Sequence, residues 1–196
     1  MNFKLFIQNL YSRCLGILRS PEDEWVKIKD EEDSNWFILL RFILPLMLIT
    51  VITSMIGGYI HSGGRIWVTG VLFISGLRPI LSISLSIIIS VPVINLMLGT
   101  YGDKPGPNRA AKLVLFTFIP IILVIIVLGL WPEMYFLGLF SLYSFYLMYF
   151  GTKVMTQIPA ERQSNFSNLS SMMILVIYLI VNFVLSSFFG AIHTGG

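Results

Sequence analysis

Charge is what this chain has least of. Asp, Glu, Lys and Arg make up 12% of its 196 residues, and 56% are hydrophobic. A soluble domain carries about 25% charged residues, so this chain has too little polar surface to cover a core in water. Cysteine is almost absent. Cys14 stands alone, which excludes an intrachain disulfide framework and reads as a small apolar residue on a helix face. Catalytic and metal signatures are missing as well: there is no HExxH, CxxC, GxSxG, Walker loop or GxGxxG. The two histidines, His61 and His193, lie far apart in sequence. No cofactor is implied, and no nucleophile, base or metal can be named, so the chain reads as non-enzymatic. A net charge of +3, dispersed along the chain, does not suggest nucleic acid.

What remains is a set of apolar runs, each long enough to cross a bilayer, which takes about 20 residues. The reading is all-α: a polytopic membrane protein with five transmembrane helices, preceded by two short N-terminal helices that are cytoplasmic or interfacial. Residues 1–35 form the N-terminal part and 36–196 the membrane domain, with spans near 36–59, 79–98, 110–130, 134–151 and 171–192. The lipid bilayer is therefore the first partner. Apolar and polar residues interleave from Phe3 to Leu18, unlike the uninterrupted core of a cleavable signal.

The first N-terminal helix, residues 2–19, is amphipathic. Phe3, Phe6, Ile7, Leu10, Cys14, Ile17 and Leu18 recur at spacings of three and four, which suits either the headgroup plane or a seat on the bundle. The stretch from Ser20 to Trp36 then holds seven of the ten acidic residues. Ser20 has the chemistry of an N-cap, Pro21 suits the first helical position and Asp23 the capping-box position. Trp25 suits a membrane–water interface. Glu22, Asp23, Trp25 and Asp30 are the candidate partner contacts, and Asp30 to Asp33 form an acidic collar before the first span.

Polar residues within the spans are the other candidates. Arg41 lies about one turn into the first apolar run, placed to snorkel or to pair with the collar. Residues 66–77 are apolar but too few to span, and Arg78-Pro79 follows. That segment reads as interfacial or re-entrant, with the second span starting at Pro79. The alternative is one tilted helix from Ile66 to Leu98, which would put Arg78 inside the membrane. Ser82, Ser86 and Ser90 form a small-residue ridge suited to close packing, with Asn95 further along and Asn182 in the last span. Gly138, Ser141 and Ser144 make a second strip, so self-association is plausible. The loop Tyr101-Gly102-Asp103-Lys104-Pro105-Gly106 reads as an interspan turn rather than a phosphate cradle.

Five spans place the termini on opposite sides. Ten Lys and Arg (Lys4, Arg13, Arg19, Lys27, Lys29, Lys104, Arg109, Lys112, Lys153 and Arg162) fall on the N-terminal side. Arg65, with Arg78 under the shorter reading of the second span, falls on the other. By the positive-inside rule the N-terminus is cytoplasmic and the C-terminus outside.

The order of motifs resembles the Yip family, the Ypt/Rab-interacting membrane proteins, and in particular its bacterial branch. The residues that carry the likeness are Pro21-Glu22-x-x-Trp25, then Leu98-Gly99-Thr100-Tyr101-Gly102, then Phe116-Thr117-Phe118-Ile119-Pro120. It covers Ser20 to Val184. The resemblance implies five spans, a cytoplasmic N-terminus, a bacterial inner-membrane location and a role in membrane organisation or as a scaffold for protein partners on the cytoplasmic side. The Asp-Leu-Tyr-Gly-Pro type motif of eukaryotic members is missing ahead of the first span, which counts against Rab-type binding. A transporter or channel for a small solute, ion or lipid is the alternative. Its lining would combine the serine ridge with Arg78, Asn95, Thr117 and Asn182.

Overall fold

The computed structural model describes residues 3–31, 38–63 and 69–194. They are helical throughout apart from short turns, with no strand among them. The N-terminal pair is α1 (Phe3–Arg19) and α2 (Pro21–Asp30). A π-helical turn, Leu39–Ile43, leads into α3 (Leu44–His61). Next come α4 (Thr69–Thr100), α5 (Pro107–Thr117) and α6 (Ile119–Leu130). A 3₁₀ segment, Pro132–Leu142, runs into α7 (Tyr143–Met155), and α8 (Ala160–Thr194) ends the chain.

Five stretches are long and apolar enough to cross a membrane: Leu39–His61, Gly76–Thr100, Pro107–Leu130, Pro132–Met155 and Ala160–Phe189. The third is the hub. Within the bundle 61% of its most apolar window is buried, against 33%, 33%, 22% and 11% for the other four in chain order. Its residues from Ala110 to Ile122 are all buried. The chain is an all-α polytopic membrane protein in which α3, α4 and α7 pack around the third span and α8 closes against α4 and α7.

Proline shapes three of the spans. Pro120 removes one N–H from the ladder and crowds the carbonyl four residues back, and the third span breaks there into α5 and α6. The Ser144 hydroxyl donates to Thr117 O beside the break, at 2.9 Å. Pro45 has no N–H either, and the wide turn just before it is where the backbone changes spacing. Pro79 and Pro92 lie inside α4 without ending it, which transmembrane helices tolerate.

Here the second span departs from the reading that starts it at Pro79. Residues 69–77 are neither re-entrant nor separate. They are the first turns of one 32-residue helix, and residues 64–68 lie outside the described set. The strip on the fourth span also differs from expectation. Gly138 faces open space, and Ser144 is the strip residue that is buried in the bundle.

Close approach of backbones locks α3 to α6. A Cβ on Gly57 would lie 1.8 Å from Gly129 O, so neither helix could come this near with a larger residue. Beyond that crossing His61 links the helix end to the next turn. Its Nδ1 donates to Gly57 O at 2.8 Å, and Nε2 lies 2.9 Å from Glu133 Oε1.

Candidate functional site

Two polar regions stand out, one on the side of the bundle that carries α1 and α2 (the near side) and one toward the opposite, far side.

The near-side region begins with an anchor. Trp25 and Ile28, three apart on α2, are fully buried. The Trp25 ring meets Phe116 edge-on, with centroids 5.8 Å apart. Gly151 on α7 provides the space: a Cβ there would lie 2.7 Å from Trp25 Cζ2 and 2.9 Å from Leu113 Cδ2. The expectation of Trp25 at an interface, open to a partner, is therefore corrected. A large apolar ring beside a glycine notch gains more from packing between α5 and α7 than from a half-wet position. The indole Nε1 is buried without a hydrogen-bond partner, a cost of about 1–3 kcal/mol that the ring's burial outweighs.

Charge closes the anchor. Arg13 on α1 is nine-tenths buried and bridges α2 at two points: Nη1 to Glu24 Oε1 at 2.7 Å, and Nη2 to Glu31 Oε1. Its guanidinium also sits 5.1 Å from the Phe42 ring centroid and 5.6 Å from that of Phe116, within cation–π range. Glu24 is 5% exposed and is also held by Lys27 Nζ at 3.0 Å. It lies over α1 because Gly16 has no side chain, since a Cβ there would be 2.7 Å from Glu24 Oε2. At the other end of α2, buried Lys112 donates to Ile28 O at 2.8 Å and to Glu31 O at 2.6 Å. A cation thus meets the negative end of the helix. Tyr143 OH donates to Leu18 O at 2.8 Å and ties α1 to α7.

The hairpin of α1 and α2 is thus mounted on the bundle. Ile17 is fully buried, with Leu10, Cys14 and Leu18 against the core, while Ile7 is exposed. Burial pushes the Cys14 thiol up to about 11. Ser20 precedes α2, but its side chain makes no capping bond. Its ψ of 67° departs from the extended geometry that aims a capping oxygen at the first-turn N–H groups.

Of the candidate partner contacts, Glu22, Asp23 and Asp30 are exposed. Glu22 Oε1 lies 3.4 Å from Lys153 Nζ, a solvent-facing pair. Arg41 sits in the π-helical turn, its guanidinium 6.0 Å from the Phe42 ring centroid. It lines a near-side cavity of about 320 Å³ with Arg13, Glu24, Lys27 and Glu31. Collar residues Glu32 and Asp33 lie outside the described set. The interspan turn is stitched from within. Asp103 accepts from Lys104 N (2.8 Å), Arg109 Nη1 (2.7 Å) and Gln157 N (3.2 Å), which joins two near-side loops. Gly102 makes the turn at φ 92°, a conformation suited to glycine.

The second region is a cavity of about 350 Å³ between α3, α4, α6 and α8. Arg78 and Ser82 line it from α4, Tyr178 and Asn182 from α8, each pair four residues apart and so on one face. Arg78 Nη2 donates to Asn182 Oδ1 at 3.0 Å. The other intramembrane candidates do not line this cavity. Ser86 and Ser90 are fully buried along α4, Ser86 Oγ donating to Ser82 O at 2.6 Å. Asn95 is half-buried and Thr117 fully buried.

Sequence reasoning missed Arg13, which the amphipathic pattern places on the polar side of α1. A turn at Ser20-Pro21 folds α1 back on α2, and such a fold-back was the one available signal for a cross-helix pair. It also missed Gly16 and Gly151, whose role is visible only from what packs on them.

A family model described as the Yip1 domain matches residues 15–185. No curated protein and no solved structure matches the chain.

Proposed function

Because the chain belongs to the Yip1 domain family, we propose that it works without catalysis, as an integral membrane scaffold that organises membrane through protein partners bound on its near side. The observation that carries this reading is the mount of α2. Trp25, Ile28, Arg13 and Lys112 spend the helix's inward face on the bundle, and Glu22, Asp23 and Asp30 remain outside. A contact surface held on a rigid support loses little freedom when it binds. Three carboxylates on a short helix suit a partner with a basic surface.

The positive-inside count supports a cytoplasmic location for this side, and the family resemblance supports a bacterial inner membrane. The near-side loops at 100–112 and 152–170 would extend the same surface. Self-association through the membrane helices is compatible with this role.

Co-purification from native membranes, with crosslinking, tests the proposal. Replacing Glu22, Asp23 and Asp30 by their amides should remove a specific partner while thermal stability stays unchanged. Undiminished recovery of every partner would overturn it. Trp25→Ala cannot serve as the probe, because it attacks the mount itself.

A further inference from the structure

The far-side cavity holds an unbalanced charge. Arg78 brings a guanidinium with five N–H donors into the second span, and the partner it meets there is the neutral amide of Asn182. Among the described residues no carboxylate lines the cavity. Glu133, the acidic residue of the far-side turn, is engaged by His61. A cation in the hydrocarbon region is costly until paired or solvated. A second observation points the same way. Ser82 lines the cavity, is 2% exposed and has a hydroxyl with no hydrogen-bond partner. Buried hydroxyls are normally bonded, so Ser82 brings an unused donor to the lining beside the spare guanidinium donors.

We propose that this cavity is a binding site for a phosphate group, and that in the membrane the group is the phosphodiester of a phospholipid headgroup. Arg78 supplies the charge and a forked set of donors that matches phosphate oxygens. Ser82 adds a neutral donor. Tyr178 and Ser54 place hydroxyls on the same lining. Pro79, Ile125 and Leu128 add apolar surface to the lining, which suits the glycerol and first acyl carbons of a lipid better than a free hydrated anion. Position agrees. Gly129 lines the cavity one residue before the third span ends at Leu130, so the cavity reaches the far edge of the bundle, where headgroups lie.

The experiment uses the full chain in detergent micelles, with phosphatidylglycerol or inorganic phosphate added separately, read by thermal unfolding and by lipid adducts in native mass spectrometry. Phosphatidylglycerol should raise the unfolding temperature and persist as a one-to-one adduct. Arg78→Gln should weaken retention by about tenfold or more, and Ser82→Ala by a smaller factor without loss of fold. If inorganic phosphate stabilises equally, and Arg78→Gln abolishes that effect, the phosphate site stands and its source is the free anion. Wild-type lipid retention in both variants would overturn the proposal. If Arg78→Gln does not fold, Ser82→Ala decides. Partner recovery plays no part in this readout, so the near-side proposal stands or falls separately.

Discussion

The two polar regions solve the same problem in opposite ways. On the near side every described buried charge is answered from within the chain. Arg13 meets Glu24 and Glu31, Asp103 meets Arg109, and Lys112 meets two backbone carbonyls. On the far side, among the described residues, Arg78 is answered by the neutral amide of Asn182. Charges buried for architecture are met by an opposite charge or by several well-placed acceptors, because removing water from them is otherwise costly. The near-side set holds α1 and α2 to the bundle. Among the described residues the far-side arginine meets one neutral oxygen and no carboxylate, and that difference separates a mount from a site.

Substitutions can break the mount in graded steps. Trp25→Ala empties the notch between α5 and α7 and should cost about 4 kcal/mol, read as a fall in unfolding temperature and as amide exchange appearing in residues 21–30. Val26→Ala, next to it but exposed, should change neither. Arg13→Ala leaves Glu24 buried without its main partner and should cost about 3 kcal/mol. Replacing Arg13 and Glu24 together by methionine should recover part of that loss, which tests whether the pair is a closed set. Gly151→Ala drives a methyl into the Trp25 ring and should cost about 2 kcal/mol, with little further loss when added to Trp25→Ala.

A chemical probe sharpens the comparison without perturbing the fold. With its pKa pushed up to about 11 by burial, Cys14 is almost wholly thiol at pH 8 and should react slowly with maleimide. Arg13→Ala should speed labelling as α1 loosens, whereas Arg78→Gln, on the other side, should leave the rate unchanged. The smallest effect belongs to the exposed acids. Amides at Glu22, Asp23 and Asp30 should shift stability by no more than about 0.5 kcal/mol each.

The membrane architecture was legible because it rests on composition. Runs of Ile, Leu, Val and Phe declare themselves without reference to neighbours. The site was less legible because it rests on pairs. Trp25 reads as an interfacial residue until Gly151, distant in sequence, gives it a pocket. Arg13 reads as a polar-face residue until the hairpin at Ser20-Pro21 turns it toward Glu24. Arg78-Pro79 reads as an interruption because a charge and a proline usually end a span. Here the helix continues, with Asn182 and the cavity taking up the charge. Ser82, Ser86 and Ser90 look equivalent along the ridge, yet only Ser82 opens on the cavity.

Hydrogen–deuterium exchange on the full chain in lipid nanodiscs tests the central claim, that α2 is a fixed part of the bundle. The amides of residues 25–30 should exchange as slowly as those of α5, and Trp25→Ala should release them selectively. Exchange of those amides in wild type at the rate of an unstructured segment would contradict it.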